Sequence, residues 1–344
     1  MTLSLSDALL LLGRWLQAAG YQFTTVTPAT HARVNARSGA DMACGLRDVF
    51  GWSRPFHAGL LPAEVLGWLR GGGLLQEDKQ GESGGGWLRS RVRFSTLGGQ
   101  LYAHSAYPTL EADAVFFGPD TYRFVSLIES ELGRQPLRPG AHILDIGCGA
   151  GPGGMTAALA SLAVKPNLLL ADINPRALAF ARANAHLVGL ADVCFAQSDL
   201  FASVEGRFDL IVANPPYLVD AGERAYRHGG GALGSSLSVR IVAQSLARLA
   251  PGGRLVLYTG APIVEGRDPF LDEVAPLSER AGCPCSNREI DPDVFGEELD
   301  APAYADAERI AAVALVATQP GSAAPNSTDA AGRNTPTGNR APNL

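Results

Sequence analysis

His142-Ile-Leu-Asp-Ile-Gly-Cys-Gly-Ala-Gly-Pro-Gly-Gly154 is the stretch that decides the architecture. An apolar run closes on Asp145, and Gly147, Gly149 and Gly151 follow at alternate positions. Glycine lets a backbone turn sharply and approach a ligand with no Cβ in the way. A helix is expected to open near Gly153. Taken alone, the loop fits either a ligand cradle or a tight strand-to-helix turn, and dinucleotide folds use similar loops.

Working outward, short apolar runs alternate with helical stretches. The runs are His142–Leu144, Leu168–Ala171, Val193–Ala196, Leu210–Ala213, Leu255–Tyr258 and Ala311–Ala317. This alternation predicts an α/β fold, a doubly wound and mainly parallel sheet covered by helices. The second run ends at Asp172, where a carboxylate can accept from both ribose hydroxyls or simply cap the next helix. That helix is expected over Ala177–Leu187, with Pro175 in its first turn. The third run leads into Ser198-Asp-Leu-Phe201, and Asp199 can accept from an exocyclic adenine amine or cap a loop.

The fourth run ends in Asn214-Pro-Pro-Tyr217. Two prolines stiffen the turn and fix its carbonyl directions. Asn214 offers a side-chain carbonyl, and Pro215 a backbone carbonyl with no N–H beside it. Together they can grip both hydrogens of a planar NH2 group, over which Tyr217 can stack. The alternative is a Pro-terminated strand with a buried tyrosine.

These residues resemble the class I S-adenosylmethionine-dependent methyltransferases, from about Val115 to Ala317. The Asn-Pro-Pro-Tyr form is similar to that of the amino-methyltransferases, which act on glutamine amides or on exocyclic amines of adenine and guanine. Ser198–Phe201 and the stretch from Gly229 to Gly253 look like the release-factor glutamine methyltransferases and the wider "methyltransferase small domain" group. Phe117-Gly-Pro-Asp-Thr121 resembles the Pro-Asp-Thr element that those enzymes place ahead of the glycine loop. The resemblance implies a Rossmann-like, seven-stranded sheet and S-adenosyl-L-methionine as cofactor. It implies a cofactor site of Asp145, Gly147, Gly149, Gly151, Asp172, Asp199 and Asn214, and a catalytic set of Asn214, Pro215 and Tyr217. The acceptor it points to first is a protein glutamine amide, with a release factor as a possible partner. The second is an RNA or DNA base amine. Neither a metal nor a membrane is implied.

At 344 residues the chain exceeds an average domain. We expect a smaller, mainly helical N-terminal α+β domain over 1–110, a linker and helix over 111–138, the methyltransferase domain over 139–317, and a disordered tail over 318–344. The first helix is expected to be capped by Ser6 or Asp7, with Leu9, Leu12 and Leu16 on one face. Pro62 opens another helix, which stops at Gly71–Gly73. Trp87–Phe94 alternates like one strand, and Arg89, Arg91 and Arg93 are expected on one face, solvated or, as the alternative, touching phosphate.

Hydrophobic residues at 46% and charged residues at 18% exclude wholesale disorder. No apolar run approaches the ~18 residues that a membrane helix needs. Asp7 and Arg14 in the first apolar stretch argue against a signal peptide. Five scattered cysteines make no disulfide framework, and Cys283-Pro-Cys285 has no second pair to form a metal site. The expected compartment is therefore the reducing cytoplasm. A net charge of −6 argues against a protein built to coat nucleic acid. Residues 1–110 nonetheless carry ten Lys and Arg against seven Asp and Glu. Tyr226-Arg-His228 and Gly229–Gly231 form either a substrate lid or a connection. Two competing classes are a cofactor-binding protein without catalysis and an NAD-type oxidoreductase. The latter leaves the Asn-Pro-Pro-Tyr turn unexplained.

Overall fold

The computed structural model describes residues 3–78, 86–109, 111–220, 224 and 226–321. The N-terminal part holds helices α1 (Leu5–Ala18), α2 (Pro28–Asn35), α3 (Leu46–Phe50) and α4 (Ala63–Gly71), then strands β1 (Leu75–Asp78), β2 (Trp87–Ser90), β3 (Val92–Leu97) and β4 (Gln100–Ser105). Next come α5 (Pro119–Arg134), β5 (His142–Ile146), α6 (Pro152–Ala160), β6 (Asn167–Asp172), α7 (Pro175–Leu187), β7 (Val193–Gln197) and β8 (Phe208–Ala213). The chain continues through α8 (Ser236–Leu246), β9 (Leu249–Ile263), α9 (Pro269–Arg280), β10 (Cys285–Asp291) and β11 (Arg309–Thr318).

Seven strands form the central sheet in the order β10-β11-β9-β8-β5-β6-β7. The ladders from β7 through β6, β5 and β8 to β9 are parallel. β11 runs antiparallel to both β9 and β10. Strand order reverses between β5 and β8, which is where open α/β sheets leave a crevice at their carboxyl ends. The Rossmann-like, doubly wound fold is therefore present. β5 and β8 are almost wholly buried because helices cover both faces, hence their unbroken apolar reading. β10 escaped the sequence reading. It is an edge strand of polar composition, Cys-Ser-Asn-Arg-Glu-Ile-Asp. β9 also starts earlier than expected, running through Pro251-Gly252-Gly253 with a register shift against β8.

Three local readings need correction. α1 is capped by Ser4, whose hydroxyl accepts from Asp7 N at 3.1 Å, rather than by Ser6 or Asp7. Ser6 instead donates to Ala179 O in α7 at 2.8 Å. Trp87–Phe94 is not one strand. Ser90 Oγ folds back onto the backbone of Val92, and β2 and β3 pair in two separate hairpins. The three arginines consequently part company. Arg91 lies 3.7 Å from Glu111, Arg89 donates to Ser53 O, and Arg93 is buried over the Phe23 ring.

The N-terminal elements and α7 share one apolar cluster. Leu9, Leu12 and Leu16 of α1 belong to it with Phe180, Ala183 and Leu187 of α7. At its centre Asn184 of α7 is fully buried. Its amide nitrogen donates to Ala103 O in β4 and to Ala150 O in the glycine loop, at 3.0 and 2.9 Å. Its amide oxygen accepts from Ala103 N at 2.8 Å.

The expected tail begins one residue too early. Thr318 still belongs to β11, and Gln319 exchanges backbone bonds with Gly253 and Gly252. Residues 322–344 lie outside the described residues. Leu344 is the one large apolar side chain among them. Ending the chain at Gly321 should therefore leave the melting temperature unchanged. A fall of several degrees in thermal denaturation would show that the removed segment packs.

Candidate active site

A cavity of about 510 Å³ opens at the carboxyl ends of β5, β6 and β8. Its walls come from the loop after β5, the end of β6, the turn after β7, the turn after β8 and the first turn of α8. Asp145, Gly147, Gly149, Asp172, Asp199, Asn214 and Pro215 all line it. Seven of the nine residues expected from sequence are thus brought together.

The glycine loop takes the shape expected of it. Gly147, Gly149 and Gly151 have φ of 67°, 53° and 84°. Gly151 is the N-cap of α6, and its φ is one that side-chain-bearing residues rarely adopt; a Cβ there would also push Met155 Cε, 2.5 Å away, aside. Gly151 shapes the loop from beneath rather than lining the cavity. Two acids fasten the loop. Asp145 Oδ2 accepts from Gly154 N at 2.7 Å, in the first turn of α6. Asp172 Oδ2 accepts from Gly149 N and its Oδ1 from Asn174 N, both at 2.8 Å. A carboxylate oxygen holds more than one lone pair, so each acid keeps acceptor capacity toward the cavity. Asp199 is the loosest of the set, an exposed side chain 3.6 Å from Arg240.

Burial pushes the Asp145 carboxyl up to about 7, partly countered by the bond from Gly154 and reinforced by the charge of Asp172. Burial also raises Asp172, against the pull of its backbone N–H partners. A carboxyl raised in the folded state loses its proton first in the unfolded chain. Between roughly pH 4 and 7 the native state therefore holds more protons, and its stability falls as pH rises. Asp145→Asn keeps the Gly154 bond and removes this titration. The variant should gain several degrees on wild type in melting temperature between pH 4 and 7. Parallel thermal denaturation curves across that range would refute the raised carboxyl.

Asn214 lies at the cavity surface, and among the described residues its side-chain amide has no hydrogen-bond partner. Tyr217 is placed differently from the expectation. It is 7% exposed and does not line the cavity. Its hydroxyl donates to Asp120 Oδ2 at 2.9 Å, and its ring packs against Phe295 with centroids 5.9 Å apart. A Cβ at Gly260 of β9 would fall 2.3 Å from that ring, so the strand itself makes room for it. Tyr217 is an anchor beneath the turn and not a stacking platform within the cavity.

The cavity has further walls. Phe116, Phe124, Ile173 and Arg240, not singled out from sequence, line it, as do Thr121 of the Pro-Asp-Thr element and Tyr226 and His228 of the stretch expected to be a lid or a connection. The Phe116 and Tyr226 rings lie 8° from parallel with centroids 6.4 Å apart. Phe116 and Ile173, exposed at 39% and 57%, give the rim of the cavity apolar surface. Among the described residues no group of three or more His, Cys, Asp or Glu is placed to hold a metal. No described helix is long and apolar enough to cross a membrane.

Comparison with known proteins sharpens this picture. Residues 127–263 match the family described as methyltransferase small domain. The release factor glutamine methyltransferase of Deinococcus radiodurans is 34% identical over 202 residues, covering 55% of this chain and 70% of that protein. The chain belongs to the methyltransferase small domain family. The ribosomal RNA small subunit methyltransferase C of Klebsiella pneumoniae is 35% identical over 159 residues, covering 40% of this chain and 45% of that protein. Against this and the Yersinia pestis release factor glutamine methyltransferase, the chain spans only about half the relative's length. Among solved structures, the T. thermophilus 16S rRNA N2 G1207 methyltransferase in complex with AdoMet and guanosine is 17% identical, with a TM-score of 0.43. That match covers 77% of this chain and 64% of that one.

The methyltransferase is S-adenosylmethionine-dependent, and its cavity suits that cofactor. A Cβ built at Gly147 or Gly149 meets nothing within 4 Å, so the loop backbone stands open to a ligand. The carboxylates of Asp145 and Asp172 suit cationic and hydroxyl groups, and Val115, Phe124, Ala177 and Leu200 supply apolar walls.

Proposed function

We propose that this enzyme methylates a planar amino group, an sp2 nitrogen. The single observation that carries this reading is the Asn214 amide, unpartnered among the described residues and placed at the cavity surface beside Pro215. An amide or base nitrogen is a weak nucleophile because its lone pair is delocalised. Two acceptors aimed at its hydrogens orient it and raise its electron density as the methyl arrives. When bound, S-adenosylmethionine supplies a methyl group on a sulfonium that leaves as a neutral thioether. On this reading Asp172 takes the ribose hydroxyls, Asp199 faces the adenine amine, and Asp145 with Gly147, Gly149 and Gly151 shapes the loop around the cofactor. Residues 139–317 form the catalytic unit.

Among acceptors, a protein glutamine amide is the leading reading, and a release factor is the partner it suggests. It is supported by a relative aligned over 202 residues, which bears that activity in its name. The amine of an RNA base is the second, supported by the ribosomal RNA relative and by the basic excess of residues 1–110. The two separate in one experiment. Methyl-labelled S-adenosylmethionine is incubated with the enzyme and a desalted bacterial lysate, and portions are then digested with protease or RNase. Label lost to protease supports the glutamine reading, and label lost to RNase supports the base amine. A lysate that takes up no label, with cofactor binding intact, would favour a binding protein without catalysis.

A further inference from the structure

Beneath the cavity lies a buried carboxylate that the function above leaves unused. Asp120 is 3% exposed, in the first turn of α5. It collects three donors: the Tyr217 hydroxyl at 2.9 Å, the Tyr258 hydroxyl at 2.7 Å and Arg123 Nη1 at 3.2 Å. Tyr217 ends the turn after β8, and Tyr258 stands on β9. Arg123 reaches on to Asp291 at the end of β10, at 2.8 Å. One carboxylate thus ties a helix to the turn that carries Asn214 and to β9, while Arg123 beside it ties the same helix to β10.

Such a group is expensive to bury unless its oxygens are fully engaged, so its partners are held firmly. The Tyr217 side chain has no freedom to leave, because Gly260 and Phe295 close on its ring. Two neighbours on the same helix, Thr121 and Phe124, line the cavity. The first turn of α5 therefore builds one wall of the cavity and also grips the anchor of the turn opposite.

We propose that Asp120 is a positioning residue for methyl transfer, setting through Tyr217 the height of the Asn214 and Pro215 carbonyls above the cavity floor. This rests on the reading that those carbonyls hold the acceptor amine. A misplacement of roughly 1 Å at a reacting centre costs on the order of 10²-fold in rate. The cofactor loop hangs from Asp145 and Asp172, which Asp120 does not touch. Rate and cofactor affinity should therefore respond differently to its loss.

The test compares Asp120→Ala, Asp120→Asn, Tyr217→Phe and the Asp120→Asn/Tyr217→Phe pair. Single-turnover transfer of labelled methyl into the protein or RNA fraction of a lysate is measured beside calorimetric binding of S-adenosylmethionine. We expect Asp120→Ala and Tyr217→Phe to slow transfer roughly 10- to 100-fold while the cofactor dissociation constant stays within about twofold. Asp120→Asn retains an acceptor for one hydroxyl and should recover part of the rate. The double variant should be no slower than the slower single, because both act through one contact. If Asp120→Ala fails to fold, Tyr217→Phe decides, since it removes a single hydroxyl. Near wild-type rates in Tyr217→Phe, or rate and affinity falling together, would overturn the inference. If Asn214→Ala is slow while these variants are not, only the positioning role fails. If Asn214→Ala is equally fast, the amino-acceptor reading fails with it.

Discussion

Asn214→Ala should slow methyl transfer by roughly 10²–10³-fold, or ~2.7–4 kcal/mol, while cofactor affinity barely moves. The asymmetry follows from where the side chain stands. Asn214 is the first residue beyond β8, at the cavity surface, with no partner among the described residues to lose. Its removal costs the protein little in packing and costs the reaction one preorganised acceptor. Asn214→Asp is the sharper variant. A carboxylate keeps the size and an acceptor but adds charge near a sulfonium whose charge vanishes in the transition state. It should stabilise the bound ground state more than the transition state, so the rate falls while cofactor binding holds or tightens. Single-turnover kinetics paired with calorimetry on the same preparations separates the two quantities. Wild-type rates in both variants would reduce Asn214 to a structural turn residue.

Asp172→Ala should weaken S-adenosylmethionine binding roughly 10- to 150-fold, the worth of one charge-assisted hydrogen bond at ~1.5–3 kcal/mol. The upper part of that range is favoured because Asp172 does two things at once. Besides facing the cavity, it holds Gly149 N and Asn174 N, so its loss also loosens the glycine loop. Asp172→Asn separates the contributions. An amide oxygen preserves one backbone bond while surrendering the charge, and affinity should fall by less. Unchanged affinity by calorimetry in a folded Asp172→Ala protein would remove Asp172 from the cofactor site.

The parts of the site that could be read in advance are those whose causes are local. Glycines at alternate positions after an apolar run define a loop through backbone sterics alone, and Gly147, Gly149 and Gly151 all take positive φ. An acid at the end of a parallel strand is carried to the crevice by the topology, which is why Asp145, Asp172 and Asp199 converge. Tyr217 could not be placed this way. Its direction depends on a hydroxyl acceptor 97 residues earlier, in α5. The break between β2 and β3 was hidden for a related reason. A serine folding onto its own backbone interrupts a strand without disturbing the alternation of apolar residues, and it sends Arg93 inward among Phe23 and its neighbours. There burial pulls the Arg93 guanidinium down to about 10. β10 failed on different grounds, since an edge strand with exposed faces has no reason to be apolar.

Asn184 has a consequence for how the enzyme comes apart. Its single amide is spent on both a hairpin of the N-terminal part and the carbonyl of Ala150 in the glycine loop. Pulling the N-terminal part away from the rest would strand three hydrogen bonds in the interior and bare the packed faces of α1 and α7 to water. Hydrogen exchange at the Ala103 amide, which precedes in sequence every residue assigned to the cofactor, should accordingly slow when the loop is occupied. Exchange at Ala103 that is unchanged by ligand would show that the two regions open to solvent separately.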